Sequence, residues 1–305
     1  MEYPLSFWIG FHVIVFSLLY LDLSVFSKFG KSKNISTALL WTCFWIALSF
    51  LFNAGIYFVS GPSDALLFFT GYAIEKSLSI DNIFIFLLIF SSLKISGKDQ
   101  HRILYLGILG ALVFRLSLIL FGIAILERYQ WMFYVFGAFL CITALRMFFD
   151  SGEKKGIADS PIYRAICRFL PITKESSEGR FFLRRKCKLF ITTSCVALLL
   201  IETADIVFAL DSIPAILAIT TNPFIVYTSN IFAILGLRSL YFVLEHVQQK
   251  LQYFGFGLAA ILFFIGLKML GSYWMEVSVP VTLGVIGLIL SVTTLVSVFL
   301  GKKGA

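Results

Sequence analysis

Glu75 and Asp81 stand six positions apart in IEKSLSIDNI (residues 74–83), and Asp205 and Asp211 stand six apart in IETADIVFALDSIPA (residues 201–215), where Glu202 adds a fifth carboxylate. Both stretches are otherwise apolar. With Asn82, Ser79 and Ser212 they offer carboxylate, amide and hydroxyl oxygens but no thiolate or imidazole. That donor set suits manganese, magnesium or calcium better than zinc or copper, and donor type does not choose among the first three. Lys76, Arg115 and Arg238 also lie in apolar segments. Three cations cannot neutralise five acids, and like-charged neighbours disfavour joint ionisation, so protons or a metal cation must make up the difference. The competing account makes the acids ion-pair partners that lock helices together. Against it, a charge at the bilayer centre costs at least about 2.5–3.5 kcal/mol, and buried pairs seldom improve on apolar packing. Nucleophilic chemistry finds no support. Ser77, Ser79 and Ser212 have no histidine at a suggestive spacing, and no GxSxG, HExxH or phosphate loop occurs. The expectation is a cation site, no enzyme and no tightly bound cofactor.

The elements that carry these residues are membrane helices. A chain of 305 residues that is 59% hydrophobic, 17% aromatic and only 14% charged is an integral membrane protein. A window of about 20 apolar residues predicts nine spans, near 7–27, 36–60, 64–93, 103–126, 131–149, 189–220, 224–245, 253–273 and 279–300. The first is read as a retained span, since it has no basic leader and no small-x-small cleavage signal. Cysteines 43, 141, 167, 187 and 195 are scattered and form no CxxC, so they read as small apolar fillers. His12, His101 and His246 fall near span ends and read as surface residues.

Basic residues orient the chain. Lys28, Lys31 and Lys33, then Lys94, Lys98 and Arg102, ten basic residues from Lys154 to Lys188, Lys250, Lys302 and Lys303 all fall on one side, and Arg128 alone on the other. The N-terminus is therefore expected outside and the C-terminus in the cytoplasm, in the inner (plasma) membrane. The +8 net charge is topology rather than nucleic-acid binding. The loop at 151–188 reads as a solvated inside loop, with anionic lipid or a protein partner as its other uses.

Spans three and six are long for a hydrocarbon core of about 30 Å and must tilt or break. A break is expected in span six, where Pro214 follows Asp211 by three residues. The two motifs align, Glu75, Asp81, Asn82 and Ile83 over Asp205, Asp211, Ser212 and Ile213, and their spans run in opposite directions, as an inverted repeat requires. Arg115 corresponds to Arg238, and ALRM ending at Met147 to GLKM ending at Met269. The chain thus divides into two N-terminal helices (1–63), a first three-helix repeat (64–150), the basic loop (151–188), a second inverted repeat (189–273) and a last helix with a cytoplasmic tail (274–305). Arg146 and Lys268 read as anchors that reach water. Arg115 and Arg238 lie deeper and read as gating or charge partners of the site.

EKSLSIDNIF, ETADIVFALDSIPA and SNIFAILGLRSLYF closely resemble the signature segments of the TerC family of membrane proteins, and LDLSVF at 21–26 with the Trp41/Trp45 pair resembles its nine-span branch. The resemblance covers nearly the whole chain except the basic loop. It implies an inverted-repeat transporter with Glu75, Asp81, Asn82, Glu202, Asp205, Asp211 and Ser212 at the metal site, and an export of manganese, while the surplus of carboxylates makes proton or sodium exchange the expected drive. It also links the chain to tellurite resistance, and leaves as a rival a membrane scaffold for protein assembly or redox control.

Overall fold

The computed structural model describes residues 3–29, 35–149, 163, 164, 166, 168, 171, 180–185, 188–247, 254–274 and 277–300, and among these the side chains of 23–29, Asp81, Lys98, 184–185, 188–189 and a few others are not described. Ten helices make up the membrane part: α1 (Leu5–Phe29), α2 (Ile35–Ser60), α3 (Pro62–Ser92), α4 (Gly97–Arg128), α5 (Met132–Phe149), α6 (Thr193–Leu217), α7 (Pro223–Ile234), α8 (Leu237–Val247), α9 (Phe254–Leu270) and α10 (Val279–Leu300). Their starts follow local chemistry. Gly61 takes φ +94° before Pro62, the Ser96 hydroxyl accepts from the Asp99 amide, Thr192 does the same for Cys195, and Asn222 caps α7 ahead of Pro223.

The chain is an all-α polytopic membrane protein. Among the described residues six helices are long and apolar enough to cross a membrane, seven if the bent pair α7/α8 is one span. The nine-span expectation includes two more, α3 and α9. The former puts Glu75, Lys76 and Asp81 in mid-helix, and the latter has only 17 residues. Two further expectations need correction. Within the basic loop, Phe182–Arg185 (β1) pairs antiparallel with Lys188–Ile191 (β2), Phe182 opposite Ile191, so part of the loop is a hairpin and α6 begins at Thr193. The rest of the loop, Cys167 and Cys187 included, lies outside the described residues. The expected break at Pro214 is also absent. Pro214 sits one turn from the end of α6, where its missing N–H costs a single bond to Leu210, and the helix runs on to Leu217. Span seven breaks instead. Gly236, at φ +82°, separates α7 from α8, and the two axes differ by 43°.

Burial sorts the helices into centre and periphery. Every residue from Phe224 to Ile234 of α7 is buried, whereas α1, α2 and α10 present Tyr20, Leu40, Phe58, Leu288 and Phe299 outward, as lipid-facing helices do. α3 packs on α7 and α6, α4 on α6, and α5 lies along α9. That last contact depends on small residues. A Cβ on Gly266 would stand 2.8 Å from the Gly137 carbonyl oxygen and 2.7 Å from Cys141 Sγ. Gly266→Val is therefore expected to force α9 off α5 and to destabilise the protein by about 1–3 kcal/mol. A thermal-unfolding series in detergent, with Gly255→Val as the comparison because a Cβ on Gly255 meets nothing within 4 Å, measures it.

Candidate cation-binding site

Arg115 of α4 is fully buried among three helices that each supply it an acceptor. Its Nη2 and Nε donate to the two oxygens of Asp205 on α6 at 2.9 and 3.3 Å. Its Nη1 donates to Glu75 Oε1 on α3 and to Asn230 Oδ1 on α7, the latter at 2.9 Å. Asn230 Nδ2 closes the ring by donating to Glu75 Oε2 at 3.1 Å. One guanidinium thus holds the two acids that the sequence motifs align, Glu75 and Asp205.

On the Glu75 side of this ring lies a cavity of about 30 Å³, lined by Glu75, Leu78, Asn82, Met147, Phe208, Asp211, Ser212 and Leu262. This is room for one ion or a water or two. Asn82 Oδ1 and Ser212 Oγ are buried without a hydrogen-bond partner among the described residues, while Asp211 Oδ1 accepts from Thr143 on α5 at 3.2 Å. Buried oxygens without donors are costly unless something positive reaches them. Four of the seven expected ligands, Glu75, Asn82, Asp211 and Ser212, line this one space. Asp81 precedes Asn82 on α3, and its side chain lies outside the described residues.

The remaining acids are elsewhere. Asp205 faces a second, smaller cavity of about 20 Å³ with Phe86, Leu104, Ile234 and Arg238 among its walls. Glu202, one turn earlier on α6, rests against Gly110 of α4, where any side chain would collide with its carboxylate, and its Oε2 is buried with no partner among the described residues. Among the described residues no three of His, Cys, Asp and Glu come together as a ready metal cluster. Among the described acids, Glu75 and Asp211 line one cavity and Asp205 the other, and Arg115 binds both Glu75 and Asp205.

Two of the expected charge partners are placed differently. Arg238 forms its ion pair with Asp22 of α1, Nη2 to Oδ2 at 2.8 Å, and also donates to the Asp22 carbonyl at 3.0 Å. Lys76 donates to the carbonyls of Ala233 and Leu235 at 3.0 and 3.4 Å, the acceptors exposed where α7 ends. Arg238 pairs with Asp22 and Arg115 binds Glu75 and Asp205, while among the described residues neither Glu202 nor Asp211 has an ion pair. The cation deficit is larger than the sequence count suggested. Sequence reasoning missed Asp22 and Asn230, although an Asp inside LDLSVF and an Asn inside TSNIFAIL are polar residues in apolar runs. Two of the three histidines depart from the surface placement expected of them, and His246 keeps to it. His12 is half-buried, with Nε2 3.2 Å from the Tyr227 hydroxyl, and His101 packs on Phe242, while His246 is exposed. Lys268 reaches Thr282 Oγ1 at 3.2 Å and Arg146 is exposed.

Comparison with known proteins gives the chain its relatives. The model of the integral membrane protein TerC family matches residues 60–305. A Myxococcus xanthus membrane protein designated STKORF319 is 43% identical over 290 residues, 95% of this chain and 91% of the relative. The Escherichia coli protein named membrane-bound redox modulator Alx is 40% identical over 306 residues, 97% of this chain and 95% of its own. A Rickettsia bellii membrane protein is 39% identical over 291 residues, 93% of this chain and 96% of its own. No solved structure matches the chain significantly.

Proposed function

We propose, from the premise that this chain belongs to the TerC family of integral membrane proteins, that it exports a divalent cation, manganese, from the cytoplasm in exchange for protons or sodium. In this reading it contributes to metal homeostasis and to tellurite resistance. The observation that carries the reading is the small cavity lined by Glu75, Asn82, Asp211 and Ser212, whose polar wall is carboxylate, amide and hydroxyl and whose carboxylate charge exceeds its cationic partners. Glu75 belongs at once to this cavity and to the Arg115 ring, so a cation that takes Glu75 must compete with the guanidinium. That competition couples metal occupancy to the helices that Arg115 joins.

The packing supports the inverted repeat and nine spans, with α3 and α9 included. α3 packs on α7 as α6 packs on α4, α3 meets α6, and α5 meets α9, which are the contacts a two-fold axis between 64–150 and 189–273 generates. Access alternates when one repeat rocks against the other around the fixed acids. The N-terminus lies outside and the C-terminus in the cytoplasm of the inner membrane.

The name of the E. coli relative favours a second reading, a non-transporting scaffold in redox control or membrane-protein assembly that uses the 151–188 region as partner surface. Sealed vesicles separate the two. Purified protein in liposomes is expected to move Mn²⁺ down an imposed gradient, faster when an opposing proton or sodium gradient is supplied, and a scaffold moves none.

A further inference from the structure

The break in span seven has a set of clamps that the transport reading leaves unused. Its two halves are unlike. α7 is buried from Phe224 to Ile234, whereas α8, buried at Leu237, Arg238, Ser239, Tyr241, Val243 and Leu244, is half-buried at Phe242 and Glu245 and exposed at His246. Four polar or tight contacts hold the bend, the first at the end of α7 and the others at Gly236 and the start of α8. Lys76 donates to the carbonyls of Ala233 and Leu235. Asp22 of α1 pairs with Arg238. On α2, Thr42 Oγ1 donates to Ser239 Oγ at 3.1 Å, and Trp45 lies so close that a Cβ on Gly236 would stand 2.7 Å from it. Backbone acceptors inside a membrane must be satisfied. A regular helix does this permanently, while a lysine on a flexible stem can release them.

The halves also touch different parts of the site. Asn230 on α7 bonds Glu75, and Arg238 beside the break lines the small cavity that holds Asp205. Turning α8 about Gly236 therefore changes access to Asp205 while α7 keeps Asn230 on Glu75. We infer that Gly236 is a hinge of the transport cycle and that α8 must part from α2 at each turnover to open the Asp205 side, with Lys76 and the Asp22–Arg238 pair holding the closed position. The inference rests on the proposed transport of Mn²⁺.

A reversible lock tests it. The hydroxyls of Thr42 and Ser239 are close enough for sulfurs in their places to bond at about 2.0 Å after a small side-chain adjustment. Thr42→Cys/Ser239→Cys is made in the full chain with its five native cysteines replaced, reconstituted in liposomes, and assayed for Mn²⁺ flux and Mn²⁺ binding after oxidation with diamide and again after dithiothreitol. The expected result is net flux at least about tenfold slower in the oxidised protein, since a blocked conformational step limits turnover. Binding is retained and full flux returns on reduction. Equal flux in the two states, with the cross-link verified by mass spectrometry, overturns the hinge. Failure of the reduced protein to move Mn²⁺ overturns the transport reading instead.

Discussion

Asp211→Asn is expected to lower Mn²⁺ transport in sealed vesicles by about a hundredfold or more while leaving the amount of folded protein nearly unchanged. The size follows from electrostatics. A carboxylate and a unit charge about 4 Å apart at an effective dielectric of about 20 interact by about 4 kcal/mol, and each 1.36 kcal/mol is about a factor of ten. A divalent ion held by few carboxylates loses at least that. The small effect on folding follows from the geometry, since asparagine has the same shape and its amide oxygen can still accept from Thr143. Among the described residues Asp211 forms no ion pair, so its charge does not lock helices together there. Transport measured beside folded yield decides. If the variant fails to fold, the account of the acids as helix locks gains, and if it folds and transports normally, the cavity is not the cation site.

The contrast with Glu75 shows how much of this was legible in the sequence. Acidic residues in long apolar runs announce themselves because each is expensive in lipid, and the two motifs share a six-residue spacing between their acids. Fold class and the main helices followed from hydropathy with boundaries good to a few residues. What did not follow was who pairs with whom. Arg115 and Arg238 align in the proposed repeat, yet one bonds Glu75 and Asp205 and the other bonds Asp22 of α1. Nothing in periodicity distinguishes them. The break was also misplaced. Proline is the louder signal, but near a helix end it costs a single hydrogen bond. Gly236 looks ordinary in LGLRSL until a positive φ and the indole of Trp45 against it show why glycine is needed there.

Arg115→Gln gives the sharpest test of whether the central guanidinium gates the site or merely supports it. Arg115 neutralises one of the two carboxylates it binds, and losing it leaves Glu75 and Asp205 facing each other in a dry interior. A buried pair broken on one side costs about 3–5 kcal/mol, so the empty variant is expected to be much less stable than the parent. A supporting role predicts that this loss is permanent. Gating predicts that Mn²⁺ repairs it, because the cation supplies the missing positive charge and, binding only the folded state, raises stability with concentration. Thermal unfolding with and without Mn²⁺ should then show a larger metal-dependent rise for Arg115→Gln than for the parent. Transport should divide in the same way. Net efflux requires the metal-free carrier to return, and without Arg115 that return carries one more buried acid than its proton or sodium compensates, so it slows sharply. Mn²⁺-for-Mn²⁺ exchange never passes through the empty carrier and is largely kept. Equal loss of exchange and net efflux, in a protein whose stability Mn²⁺ does not restore, would refute the gate and leave Arg115 as a fixed strut between the two repeats.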